Sequence, residues 1–578
     1  MKYRIPSSKS ARPWLWILLA ILALNCFLNF FGIRWGLPES WYPDETEVIE
    51  QIVIPMARNV DLNPHIFDKT TLYYYVLLVV LAPYFLFIKL TGASIEPYRQ
   101  FVSHVLLISR CVTACIGVVG IILMYHIGKT LRDRWTGIAA AFLLAINVGY
   151  VSYAHFAYMD IPMMVLLLSC LLFAFRYLDS LRMKDLVLAS LFGGLAVSAK
   201  YNAGLFVVFL FLVCHIVRVT RRPKGGRKPS SALGTFFSKA FFLSLGVVIL
   251  GFVAGTPYSV LDYKAFLTAI IKELFISKGY KVFDESFLWI KNFFILRDGF
   301  GTPMYAFALA AFLYGWIRFV RAPSAKGVVL FLMPLLYYLY LGSWHITAFR
   351  YLLPLTPFLI LSVALMAADL RRRAKPRLRI PFFIVAAGLS LFSVGFALSC
   401  VGQFNQDTRQ DATDWLESNL ERSTLVETYG YRSYLPAFPE RVSVQRLTPN
   451  FVVVSKRFEA FKKGEMGKRI LTIDKKRQYE NALSAAPSNA DAFTLDALQK
   501  RNPDYVVLSD FYVSRYIDRK KPTDEMPYPE LTLYFERLVD GEAGYRLIRI
   551  FKKKGMQSFY LNPTILVYQK SVHQKSVQ

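Results

Sequence analysis

Apolar residues run in long blocks separated by short polar or basic breaks. The blocks fall at 13–31, 72–90, 101–127, 136–152, 161–178, 185–199, 202–218, 238–255, 303–320, 328–343, 351–369 and 381–400. Most approach the roughly 20 residues a helix needs to cross a bilayer, where a helix satisfies its own backbone N–H and C=O groups. The pattern predicts an α-helical polytopic membrane protein. Two longer stretches, 34–71 and 256–302, mix apolar and polar residues. In the second, Leu261, Phe266, Ile270, Leu274 and Phe275 recur at helical spacing, which predicts helices lying along the membrane surface. After Cys400 the pattern changes. A helix-like run at 411–420 precedes Thr424-Leu425-Val426, and Pro503-Asp504-Tyr505-Val506-Val507-Leu508 reads as a second strand. The chain thus divides into a membrane module, 1–400, and a small α/β domain, 401–578.

Composition agrees: of 578 residues, 55% are hydrophobic and 19% charged, too apolar for a soluble enzyme of this length. A net charge of +28 does not point to nucleic acid, because the basic residues gather between apolar blocks. Arg218, Arg221, Arg222, Lys224, Arg227 and Lys228 form one acid-free cluster, and Arg371, Arg372, Arg373, Lys375, Arg377 and Arg379 another. The positive-inside tendency assigns both to the cytoplasm. The N-terminus, with Lys2, Arg4, Lys9 and Arg12 before the first block, reads as the cytoplasmic flank of an uncleaved span. The loops near 160, 200, 256–302 and 345–350 then lie outside. Twelve crossings from an inside start would return the C-terminus inside, whereas the basic clusters put it outside. The stretch 72–127 must therefore cross an odd number of times, for a total of 11 to 13 spans with an extracytoplasmic C-terminal domain.

All six cysteines lie in or beside apolar blocks, so no disulfide framework is expected, which leans towards a bacterial or archaeal plasma membrane.

The outer loops carry the candidate chemistry. Trp41-Tyr42-Pro43-Asp44-Glu45-Thr46-Glu47 sets two adjacent carboxylates just beyond the first block, although Pro followed by acids also serves a helix start. Asp160 stands one residue before Ile161-Pro162 and reads either as a working carboxylate or as a helix cap. Arg350, in the short loop after Trp344, has the planar fork that grips a phosphate, or it anchors in headgroups. Lys200 and, less directly, Lys69 are further cations for a phosphate. His155, His345 and Tyr351 complete the substrate-binding candidates, with His155 also reading as a satisfied interfacial histidine. No His/Cys/carboxylate spacing defines a metal site, and no Walker-type glycine loop occurs.

The Pro43-Asp44-Glu45 loop resembles the Asp-Glu motif of the GT-C superfamily, specifically the dolichyl-phosphate-mannose protein mannosyltransferases (glycosyltransferase family 39) and their bacterial and archaeal relatives, with the lipid A aminoarabinose transferases as cousins. Tyr158-Met159-Asp160-Ile161-Pro162 is similar to the family's Asp-x-Pro loop, Ser198-Ala199-Lys200-Tyr201-Asn202 to its lysine turn, and Phe349-Arg350-Tyr351-Leu352-Leu353-Pro354 to its Arg-Tyr motif. Where many relatives carry His-Pro-Pro-Leu, this chain has Asp68-Lys69-Thr70-Thr71-Leu72-Tyr73-Tyr74. The resemblance implies a GT-C fold and an inverting sugar transfer from a polyprenyl-phosphate donor to a hydroxyl of a protein, glycan or lipid. It maps the catalytic base to Asp44, with Glu45 and Asp160 beside it, and leaves a divalent metal open. The alternative is a polytopic transporter or lipid flippase.

Overall fold

The computed structural model describes residues 13–221, 236–279, 288–344, 347–373, 375–448, 490–517, 528–553 and 559–571, with single residues at 519, 522, 523 and 526. Helices occupy every apolar block of the sequence. Nine described helices are long and apolar enough to cross a membrane, and the bent pair Arg134–Ala145 and Val148–Ala154 makes a tenth. The protein is an integral membrane protein.

One end of the bundle is basic. There Arg132 meets Asp369 at 2.8 Å, Arg371 and Arg372 meet Asp133 at 2.6 and 2.8 Å, and Lys326 meets Asp179 at 2.7 Å. The opposite end gathers the first loop, Arg110, residues 155–160, Lys200 and Arg350. Between these ends run Pro13–Phe30, Tyr98–Leu131, the bent pair, Asp160–Ser180, Met183–Ala199, Ala203–Thr220, Lys239–Gly255, Thr302–Arg321, Ala325–Gly342, Phe349–Arg373 and Pro376–Gln403.

Leu72–Thr91 does not join them. It doubles back along the first part of Tyr98–Leu131, with Tyr73 Oη 2.6 Å from Thr113 Oγ1 and Tyr84 Oη 3.2 Å from His104 Nδ1. Arg99, just after the hairpin, pairs with Glu39 of the first loop. The 34 residues of Tyr98–Leu131 exceed a bilayer core of about 30 Å at about 1.5 Å per residue. Only the part beyond Arg110, whose Nη1 donates to Ile33 O at 2.9 Å, lies alongside the first helix. Among the described residues, the start of the first helix lies at the basic end, where Trp14 stacks under the Arg134 guanidinium at 4.7 Å, and the C-terminal domain lies at the opposite end, where Tyr560 meets Tyr42.

The bend of 61° between Ala145 and Val148 has a local cause. Asn147 leaves helical geometry and caps the second piece, its Oδ1 accepting from Tyr150 N–H at 3.0 Å. The mixed stretches form short helices as expected: Pro43–Val48, a π turn at Ile49–Val53 and Ile54–Asn59 in the first loop, then Tyr258–Leu261, Tyr263–Gly279 and Leu288–Asp298.

Beyond Gln403 the chain folds into a five-stranded sheet of order β2-β1-β3-β5-β4, with β1 Leu425–Tyr429, β2 Ser443–Leu447, β3 Tyr505–Ser509, β4 Tyr545–Phe551 and β5 Ile565–Lys570. Strands β2, β1 and β3 are parallel, and β5 and β4 add antiparallel. Helix Thr408–Asn419 covers one face through Ala412 and Leu416, which pack on Val426, Val507 and Val567. Helix Pro529–Val539 contributes Leu531, Phe535 and Leu538, at i, i+4 and i+7, to the core of the other face.

Candidate active site beneath the C-terminal domain

Pro43 opens a short helix whose first turn holds both acids of the first loop, and the two carboxylates turn to different cations. Glu45 is fully buried. Its oxygens accept from Arg110 Nε and Nη2, each at 2.8 Å, and from Ala157 N–H at 2.6 Å. Arg110 also donates to Ile33 O and Trp35 O, at 2.9 and 2.6 Å. Glu45, a catalytic candidate in the sequence, is therefore enclosed: it ties the first loop to the Tyr98–Leu131 helix and to residue 157, three before Asp160. Asp44 keeps an accessible carboxylate, about one-fifth exposed, and pairs with Arg350.

Asp160 is the first residue of its helix and makes no cap hydrogen bond there. It is buried and pairs with Lys200 Nζ at 2.5 Å. The two ion pairs share an aromatic wall. Lys200 Nζ stands 5.5 Å from the Tyr158 ring centre and 5.3 Å from that of Tyr351, while the Arg350 guanidinium stands 5.8 and 5.2 Å from the same rings. Tyr42 stacks on Phe156 at 4.2 Å, and Tyr560 of the C-terminal domain meets the Tyr42 ring edge-on at 5.1 Å. Burial raises the Tyr42 phenol well above its ordinary value; Arg350 opposes that shift, and Tyr153, Tyr560 and Asp160 add to it. Tyr158 is raised likewise by burial, then by Asp160 and Tyr351. Both phenols stay protonated and able to donate.

Tyr42 Oη, Tyr74 Oη and Asp160 Oδ2 are buried without a hydrogen-bond partner among the described residues. Such groups cost roughly 1–3 kcal/mol each when left unmet, so a cluster of them beside two ion pairs has the chemistry of a polar ligand site.

The other sequence candidates divide. Tyr351 lines this chamber. Lys69 pairs with Glu47 and lies 3.9 Å from Asp68, two acids whose charge reaches the Tyr74 phenol of the chamber. His155 is buried, its ring nitrogens 2.8 Å from Val151 O and 3.0 Å from Phe31 O, and it stacks on Phe404 at 4.2 Å. The ring is thus enclosed by two backbone carbonyls and an aromatic face, the surroundings of a structural histidine. His345 lies outside the described residues. Sequence reasoning passed over Arg110, Tyr42, Tyr158 and Tyr560. Arg110 had a signal, a lone guanidinium inside an apolar run; Tyr560 had none. Among the described residues no group of three or more His, Cys, Asp or Glu side chains could hold a metal ion.

These features define a class: a polytopic helical membrane protein with a paired-charge chamber at one end, roofed by a small α/β domain. Residues 101–254, less than half of the chain, match the family model described as dolichyl-phosphate-mannose-protein mannosyltransferase. No curated protein matches the chain in sequence. Among solved structures the chain is similar to the apo oligosaccharyltransferase of Archaeoglobus fulgidus, at 14% identity and TM-score 0.47, covering 87% of this chain and 71% of that one. It is similar also to ArnT from Cupriavidus metallidurans bound to undecaprenyl phosphate, at 13% identity and TM-score 0.47, covering 96% and 98%. The S. cerevisiae protein O-mannosyltransferase Pmt1-Pmt2 complex bound to the sugar donor aligns at 18% identity and TM-score 0.31, over 48% and 37%.

Proposed function

We propose that this chain is a membrane glycosyltransferase that moves a sugar from a polyprenyl-phosphate donor to a hydroxyl group, with inversion. The family match over 101–254 supports the class of reaction. The observation that carries the chemistry is the opposition of Asp44 and Arg350 in a chamber that also holds the Asp160–Lys200 pair.

The acceptor oxygen attacks the anomeric carbon as its proton passes to Asp44. The bond from that carbon to the phosphate oxygen breaks, and the phosphate leaves with the electron pair and a growing negative charge. Arg350, whose fork can grip two phosphate oxygens, takes that charge, with Lys200 as a second cation. In the resting chain Arg350 neutralises Asp44. A donor phosphate drawing Arg350 towards itself leaves Asp44 the stronger base, so donor binding arms the site. Asp160, fixed by Lys200, orients a sugar hydroxyl through its second oxygen, and Tyr42, Tyr74 and Tyr158 supply neutral donors. The roof formed by Tyr560 gives the C-terminal domain a place beside the acceptor.

The basic end of the bundle faces the cytoplasm by the positive-inside tendency, which assigns the chamber to the outer surface. The six cysteines are all free, in keeping with a bacterial or archaeal plasma membrane.

The test uses the purified chain in vesicles carrying a polyprenyl-phosphate-linked sugar. Asp44→Asn should cut release of polyprenyl phosphate by about 10²–10⁴-fold, the range for loss of a general base, while the chain still folds and inserts into the vesicles. Near-normal turnover would remove Asp44 from the mechanism.

A further inference from the structure

At the basic end, away from the chamber, a cleft of about 540 Å³ opens between the first helix, Arg134–Ala145, Thr356–Arg373 and Pro376–Gln403. Its walls include Ala20, Ala139, Ala364 and Ala367, whose small side chains leave the space between the helices. Thr136 is occupied, its hydroxyl donating to Asp133 at 2.8 Å. Arg371 and Trp135 bring polar groups to the cleft, and Trp135 and Phe383 are 48% and 39% exposed. The cleft therefore opens sideways, to where lipid lies.

Around the mouth of the cleft the cations outnumber the acids. Arg371 and Arg372 share Asp133, at 2.6 and 2.8 Å, and exposed Arg134, Arg373, Lys375 and Arg377 stand on the same helix ends. Asp133 offsets one of these six cations. The Arg371 Nη2 serves Asp133, and a guanidinium carries further N–H donors for a second anion. An apolar slot with a cationic mouth at the end of a membrane bundle matches one occupant, an anionic phospholipid: one acyl chain between the helices, its phosphate on Arg371.

We propose that this cleft is a binding site for an anionic phospholipid of the leaflet at the basic end. The inference does not depend on the transferase reading, and its test does not use transfer activity.

The full chain is purified in neutral detergent with equimolar phosphatidylglycerol and phosphatidylcholine, and bound lipid is read by native mass spectrometry. Phosphatidylglycerol should be retained over phosphatidylcholine by about fivefold or more, as one basic contact near an anionic lipid provides. Arg371→Ala, which leaves Asp133 its Arg372 partner, should abolish that preference. Ala367→Leu, which fills the slot without changing charge, should reduce retention of phosphatidylglycerol with no loss of thermal stability. Equal retention of the two lipids, or retention of phosphatidylglycerol unchanged by Ala367→Leu, would overturn the proposal. A lipid-free dimer that Ala367→Leu splits would also overturn it, by making a second copy the occupant.

Discussion

Arg110 meets Glu45 through two hydrogen bonds of 2.8 Å across 65 residues of chain, both side chains almost wholly buried. The neighbouring Asp44 turns the other way, to Arg350. One cation per carboxylate resolves what would otherwise be a costly pair of adjacent negative charges. It also splits the labour, because Glu45 fixes the loop while Asp44 stays accessible.

Removing one partner of a buried pair leaves the other charge stranded, which costs about 3–5 kcal/mol. Arg110→Met should accordingly lower the melting temperature of the detergent-solubilised protein substantially. The Glu45→Gln, Arg110→Met double variant should recover part of the loss, because neither charge is then buried alone. A full additive loss in the double variant would count against the coupling.

Phe349, next to Arg350, is seated by two glycines. Gly149 N–H donates to Gly299 O at 3.2 Å, and a Cβ at either glycine would overlap the Phe349 ring. Gly149→Ala must push that ring, and with it the backbone carrying Arg350. Overpacking of this kind costs about 1–3 kcal/mol. It should also lower kcat/KM for the donor in the vesicle assay, whereas Gly204→Ala, at a glycine with open space around it, should leave kcat/KM unchanged.

Much of this was legible in the sequence, because a membrane forces apolar residues into blocks of helical length, and these gave the helices to within a few residues. Asp44, Asp160, Lys200 and Arg350 stood out as charges beside apolar blocks, where charge is expensive. Contacts between distant segments were not legible. Nothing in Glu45 itself separates an enclosed anchor from a second working acid; the difference is made by Arg110 and the Ala157 N–H. Similarly, 72–90 is apolar enough to cross, and only its pairing with the first part of Tyr98–Leu131 shows that it turns back.

The C-terminal domain is held to the membrane bundle through Arg409. Its guanidinium pairs with Asp407 at 2.8 Å, donates to Ser433 O and Tyr560 O at 2.7 Å, and stands 5.0 and 4.6 Å from the rings of Trp35 and Trp41. Trp35 Nε1 donates in turn to Asp407 at 3.0 Å. Arg409→Ala strands the buried Asp407 and should weaken docking by about 3–5 kcal/mol. Limited chymotrypsin treatment, which can cut after Phe404 in the connecting segment, should then release the domain much faster than in the parent chain while the helical bundle stays intact. Transfer should fall too, because Tyr560 loses the bond that holds it over Tyr42.

The path of Leu72–Thr91 makes the sharpest demand on topology. If this helix doubles back, residues 91–94 lie on the same side of the membrane as the C-terminal domain; if it crosses, they lie with the basic end. Thr91, Ser94, Ser324 and Ser418 are all exposed, so each can carry a single cysteine in a background with the six native cysteines replaced. In sealed vesicles an impermeant maleimide should label Thr91→Cys, Ser94→Cys and Ser418→Cys from one face. Ser324→Cys should react only after permeabilisation, or the reverse in vesicles of opposite orientation. Thr91→Cys reacting together with Ser324→Cys would make twelve crossings. It would then also have to break the Arg99–Glu39 pair, since Glu39 sits beside Asp44 on the chamber side. Twelve crossings would also put Asp44 on the side opposite Asp160 and Arg350, so that result would dissolve the Asp44–Arg350 pair and with it the chamber, as well as the parity argument that assigns the N-terminus and the C-terminal domain to opposite sides.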